Sequence, residues 1–239
     1  MLFRSKPKGM GLDGDGNILV VEPHYQRVNH FSTNGVLVSQ WGRRGTNAGE
    51  MILPRSIAQN GRGEFLVSEY TVVDRIQRFD ARGRFLGGWG RPGLGAGEFN
   101  RAEGLAIGPG DTVYVADSCN HRIQVFDAGG RFLRGHGTAG NGPGQFSYPY
   151  DVRVEPGGLQ FVCEFGNSRI SILDATDAVV EILGGPGSDP GRFANPWAIC
   201  LDPQGNLYVA DSQNHRVQKF TRRRQSGLTG DRRRGTAPG

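Results

Sequence analysis

Residues 104–133 run Gly104-Leu-Ala-Ile107, Gly-Pro-Gly-Asp111, Thr112-Val-Tyr-Val-Ala116, Asp117-Ser-Cys-Asn-His121, Arg122-Ile-Gln-Val-Phe126, Asp-Ala-Gly-Gly130 and Arg131-Phe-Leu133. Four short apolar runs, rich in β-branched and aromatic residues, alternate with clusters of glycine, proline, aspartate and asparagine. Such runs read as strands, and such clusters as tight turns. No helical periodicity competes with this pattern, so the stretch predicts a four-stranded antiparallel meander. A sheet of this size buries too little apolar surface to stand alone and must stack on neighbours.

The neighbours are in the same chain. Arg27, Arg75, Arg122, Arg169 and Arg216 recur at spacings of 48, 47, 47 and 47 residues. Each follows an acid by five or six positions: Glu22, Glu69, Asp117, Glu164 and Asp211. Between units lie the glycine sets Gly42/Gly45/Gly49, Gly90/Gly93/Gly97, Gly137/Gly140/Gly144 and Gly184/Gly187/Gly191. Each set is followed two residues later by a large apolar anchor, Met51, Phe99, Phe146 or Phe193. Pro7, Pro54, Pro149 and Pro196 open their units. Four strands per unit at this period predict an all-β fold, a β-propeller of four-stranded antiparallel blades. The units span about 7–53, 54–101, 102–148, 149–195 and 196–221, and the fifth stops after its third strand at Phe220. Residues 1–6 are expected to serve as a closing strand for the last blade if five blades close. The other reading, a fragment of a six-bladed propeller with open sheet edges, ranks ahead of it.

Of 239 residues, 39 are glycine, and the repeat accounts for that excess. The formal charge of +5 comes from residues 222–239, which carry six arginines and one aspartate. The remaining 22 basic and 22 acidic side chains cancel. The basic balance therefore belongs to a Gly/Arg-rich tail, read as disordered, and is no argument for a nucleic-acid-binding body. Cys119, Cys163 and Cys200 share no CxxC spacing, so neither a disulfide framework nor a zinc site is suggested. No apolar stretch is long enough for a membrane helix. The N-terminal residues lack a secretory apolar region, giving the expectation of a cytoplasmic protein.

Val115-Ala-Asp-Ser-Cys-Asn-His-Arg-Ile-Gln-Val-Phe-Asp127 and Val209-Ala-Asp-Ser-Gln-Asn-His-Arg-Val-Gln-Lys-Phe220 closely resemble the NHL repeat. The resemblance covers residues 7 to about 221. Unit one departs from it with Glu22-Pro-His-Tyr-Gln-Arg27, and unit two carries one extra loop residue in Glu69-Tyr-Thr-Val-Val-Asp-Arg75. It implies binding of proteins or RNA. Related propellers also imply metal-dependent lactonase-like hydrolases and peptidyl-hydroxyglycine lyases, which need a convergent metal-binding set at the channel. Glu103 and Asp151 are the acids found at the corresponding places, and that constellation is incomplete.

The recurring acid–arginine pairs read as scaffold, because one pair per blade at fixed spacing is what hairpin pairing produces. The glycine sets lead into strands and not helices, which suits connectors better than phosphate cradles. No serine–histidine–aspartate set or Gly-x-Ser-x-Gly elbow appears. Candidate function lies where units differ. The residues entering the innermost strands are Lys8, Arg55, Glu103, Tyr150 and Trp197, a ring of two cations, one acid and two aromatics at one mouth of the central channel. Tyr25, Tyr70 and Phe165 lie in nearby loops. This composition suits a protein, peptide or single-stranded nucleic acid. The expectation is a non-catalytic scaffold, not an enzyme, with a loop face for a protein or peptide. RNA is a second partner, self-association a third if the ring is open, and no cofactor or metal is expected.

Overall fold

The structure, a computed structural model, describes residues 7–222. The expected closing strand at residues 1–6 and nearly all of the basic tail lie outside the described residues. Blade one comprises Gly9–Leu12, Ile18–Glu22, Arg27–Phe31 and Leu37–Trp41 (β1–β4). Blade two comprises Pro54–Gln59, Phe65–Glu69, Arg75–Phe79 and Phe85–Trp89 (β5–β8). Blade three comprises Ala102–Ile107, Val113–Asp117, Arg122–Phe126 and Phe132–His136 (β9–β12). The short strands Thr138–Ala139 (β13) and Gln145–Phe146 (β14) pair in the connector that follows. Blade four comprises Pro149–Val154, Gln160–Glu164, Arg169–Leu173 and Val179–Gly184 (β15–β18). Ala198–Leu201, Leu207–Asp211 and Arg216–Phe220 (β19–β21) form blade five, a three-stranded sheet among the described residues.

Every blade is an antiparallel meander whose first strand lies innermost, and the five sheets stand around one axis as a five-bladed propeller. The turns follow from their aspartates and asparagines. Asp13, Asn60 and Asp202 each accept hydrogen bonds from the backbone N–H groups two and four residues ahead. In blades two to four the second strands are covered on both faces, which is why they read as nearly continuous apolar runs. One core cluster fills each gap between consecutive blades. Leu19, Val21, Val28 and Trp41 of blade one meet Ile57, Phe65, Val67 and Phe79 of blade two, and the next three interfaces repeat the arrangement.

At the rim, the outer strands of blades one to three each end in a side chain that lies over the outer hairpin of the next blade. Trp41 covers Gly83, and Trp89 covers Gly130. A Cβ on Gly130 would sit 2.4 Å from the Trp89 ring, and the backbone there has φ 93°. In the third interface the pair changes together: His136 occupies the tryptophan position and Asp177 the glycine position, 3.5 Å apart. Arg134 adds a bidentate ion pair to Asp177, at 2.7 and 3.1 Å.

Burial pushes the pKa of His136 below the usual imidazole range, and Asp177 only partly opposes it. Folding therefore disfavours protonation, so this stability is present above the unfolded pKa of about 6.5 and is lost as pH falls below it. The denaturation midpoint should fall between pH 7.5 and 5.5. His136→Leu, matching Leu183 at the same repeat position, should flatten that change if His136 causes it. Urea titrations at both pH values check this.

Candidate functional site at the channel mouth

The acid–arginine pairs sit directly opposite each other at the end of the second and third strands of every blade. Glu69–Arg75, Asp117–Arg122 and Glu164–Arg169 close at 2.7 Å, Asp211–Arg216 at 2.8 Å, and Glu22–Arg27 is also paired. In blades two to five the arginine also reaches back to carbonyls of the incoming connector; Arg122 donates to Gly95 and Glu98 at 2.7 and 2.9 Å. Asn120, Asn167 and Asn214 each bond both the acid and a connector carbonyl. These groups are thus bound up in tying each glycine connector to the blade it enters.

The variable ring is assembled differently. Each member opens the innermost strand of its blade, so the five side chains converge on one end of the channel. Arg55 and Glu103, from neighbouring blades, form a buried ion pair, and Arg101 Nη2 donates to the other Glu103 oxygen at 2.8 Å. Both lone-pair sides of Glu103 are thereby engaged, and Arg55 is held with its guanidinium 5.2 Å from the Trp197 ring centre. Lys8 Nζ lies 4.6 Å from the same ring. Trp197 meets Tyr150 edge to face at 5.2 Å. Tyr150 stacks on Phe165 at 4.4 Å, and Phe165 stands perpendicular to Trp197 at 5.9 Å. All five predicted ring residues are therefore brought together, with Trp197 at the focus.

Two further groups complete the mouth. Asp151 is buried behind Tyr150, takes hydrogen bonds from the Ile199 and Val152 amides, and pairs with Arg153 at 2.7 Å. Burial pushes its carboxyl upward against those partners. Burial likewise raises the Tyr150 hydroxyl, partly offset by Arg101. Tyr70 lies apart from the aromatic trio, under Arg101 at 5.4 Å, and Tyr25 is paired with Arg27. Sequence reading grouped Phe165 with those two loop tyrosines and gave it no special place. Its signal was that it directly follows Glu164, on the loop above Tyr150. Below the mouth a cavity of ≈ 790 Å³ runs down the channel, walled by the inner strands of all five blades. Among the described residues, no three His, Cys, Asp or Glu side chains converge as a metal site would require. No helix among them is long and apolar enough to cross a membrane.

The NHL repeat model matches residues 99–126 and 193–220, so the chain carries NHL repeats. No curated protein sequence matches it. Solved structures are similar at the level of fold. Virginiamycin B lyase from Staphylococcus aureus superposes with a TM-score of 0.64 at 14% identity, over 91% of this chain and 70% of that one. A gluconolactonase from Xanthomonas campestris gives 0.65 at 14% identity, over 86% and 69%. A nidogen/laminin complex gives 0.68 at 15% identity, over 91% and 76%. The expectation that the chain is not an enzyme is corrected here: the fold is shared with named enzymes as well as with a binding complex. Sequence reading erred by treating missing catalytic motifs as a statement about function, whereas channel-mouth sites are built from residues scattered one per blade.

Proposed function

Starting from a propeller built of NHL repeats, we propose that the mouth around Trp197 is the binding site for a protein or peptide partner. The observation that carries this reading is the aromatic trio of Tyr150, Phe165 and Trp197, built from two neighbouring blades, with Lys8 and Arg55 against Trp197. Aromatic and arginine side chains gathered at a concave, partly exposed site are the composition of interface hot spots. Glu103 fixes Arg55 and Arg101 before any partner arrives, which lowers the ordering cost of binding. Flat rings held between polar groups suit a peptide that offers an apolar or aromatic side chain.

The test is to select peptides from a displayed library on the full chain and measure their affinities for the parent and for Trp197→Ala. Loss of a central aromatic anchor of about 2 kcal/mol corresponds to roughly 30-fold weaker binding. Tyr150→Ala should weaken the same peptides, with the thermal midpoint of both variants near the parent value. Peptides that bind parent and Trp197→Ala equally would overturn the proposal. Binding of single-stranded RNA with a steep salt dependence would move the site to the RNA reading.

A further inference from the structure

Each connector between blades ends on a residue with left-handed backbone: Leu53 (φ 49°), Arg101 (φ 65°), Tyr148 (φ 47°) and Asn195 (φ 47°). In the last three, the backbone N–H of that residue donates to a side chain of the preceding blade. Arg101 donates to Asp74 Oδ1 at 2.9 Å, Tyr148 to His121 Nδ1 at 3.2 Å and Asn195 to Ser168 Oγ at 3.1 Å. The three acceptors each directly precede a staple arginine, so they are repeat equivalents and the bond is part of how one blade holds the next. This framework fixes the backbone and leaves the side chain free to vary. Asparagine and glycine take left-handed φ at least cost, and a bulky ring does not.

The neighbours of Tyr148 in this set serve the fold. Arg101 turns to Glu103 at 2.8 Å and lies over Tyr70, and Asn195 Nδ2 donates to the Phe165 carbonyl at 3.0 Å. Tyr148 instead is 43% exposed, with its ring against that of His121, centroids 4.7 Å apart. A large exposed ring on left-handed backbone is a combination the fold does not require. It stands beside the mouth. The Tyr148 carbonyl accepts from the Phe165 amide at 3.1 Å, and the Ser147 carbonyl from the Gly166 amide at 3.0 Å, which zips this connector to the loop that carries Phe165. Tyr148 is also two residues from Tyr150, so their Cα atoms are at most about 7 Å apart. That is the spacing of residues i and i+2 in an extended peptide, whose side chains point to one face.

We propose that Tyr148, seated on His121, is a second aromatic anchor of the site around Trp197, and that the partner is an extended peptide carrying two large apolar or aromatic side chains two or three positions apart. This rests on the peptide-binding reading of the mouth. His121 is a positioning residue: its Nδ1 holds the Tyr148 backbone and its ring supports the Tyr148 ring, so the anchor is ordered before a partner arrives. Two anchors at a fixed distance select a spacing as well as a side chain, which is how an extended peptide is read.

Random linear peptides displayed for selection on the full chain are the probe. Those that bind should carry two large apolar or aromatic residues at that spacing. Tyr148→Asn, borrowing the side chain of Asn195, should weaken them about 5- to 10-fold, the worth of one partly exposed aromatic contact, while the thermal midpoint stays at or above the parent value. Replacing the peptide's second anchor by alanine should make it indifferent to Tyr148→Asn and leave it sensitive to Trp197→Ala. His121→Ser keeps an acceptor and removes the ring. It should weaken the same peptides in the parent and have no further effect beside Tyr148→Asn, whereas a histidine acting on the fold alone would give the same loss in both. Equal affinities of parent and Tyr148→Asn, with Trp197→Ala still weakened, would overturn the second anchor and leave the mouth reading standing. A Tyr148→Asn midpoint clearly below the parent would also overturn it, by making the ring a part of the fold. Peptides indifferent to Trp197→Ala, or a library that yields no binder, would overturn both.

Discussion

Alanine at position 130 should lower the thermal midpoint by about 6–12 °C, the shift expected for roughly 3 kcal/mol in a domain of this size. Two costs add. A side chain at left-handed φ costs about 1–2 kcal/mol. The new methyl group would also lie against the Trp89 ring, within 2.4 Å of its nearest atom, and overpacking of this kind costs about 1–3 kcal/mol. The decisive measurement is the double variant. Trp89→His removes the obstruction and recreates the combination seen where His136 faces Asp177, so Gly130→Ala should cost clearly less on a Trp89→His background than alone. Equal costs on both backgrounds would show that the tryptophan is not what forbids a side chain there. The reciprocal case runs the same way: His136→Trp should be costly with Asp177 in place and milder with Asp177→Gly.

Removing the arginine from one acid–arginine staple should cost about 3–5 kcal/mol, the range for stranding a buried charge. Arg169→Met is the clearest instance. Glu164 is fully buried and accepts from Arg169 at 2.7 Å, Ser171 at 2.5 Å, Asn167 at 2.6 Å and the Ser147 amide at 3.1 Å. Without the guanidinium, one negative charge stays buried with only neutral donors, and the carbonyls of Asn141, Gly142 and Gln145 each lose one donor. Pairing Arg169→Met with Glu164→Gln should recover part of the loss, since the amide needs no countercharge. A thermodynamic cycle of the four proteins measures the coupling. A coupling near zero would mean that the arginine acts through the connector carbonyls alone.

The repeat could be read before any coordinates because it is a property of spacing. The arginines, the glycine sets and their anchors each marked the same period, and the turn chemistry of Asp127-Ala-Gly-Gly130 marked strand ends. The ring of Lys8, Arg55, Glu103, Tyr150 and Trp197 was also recoverable, since equivalent positions in a repeat must occupy equivalent places around an axis. What spacing could not give was which members touch. Arg55 pairs with Glu103 across 48 residues, and Trp197 of blade five gathers Lys8 of blade one and Arg55 of blade two, so those contacts depend on how the blades curve around. The rim pairs were missed for a different reason. Trp41, Trp89 and His136 keep the period, as do Gly83, Gly130 and Asp177, but each set looks ordinary alone; only their joint change at the third interface reveals that they touch. Bare motif absence misled the functional reading, because a site drawn from five separate strands leaves no local signature.

The connectors have a consequence for how the chain reaches this shape. Each staple joins groups 24 to 29 residues apart, and each blade gathers its strands from one continuous stretch. Assembly can therefore start at any blade and spread to the next by short loop closures, with no early meeting of distant ends required. The same locality makes a unit a transferable part: evolution can lengthen, shorten or exchange it while the hinges on either side already know how to receive it.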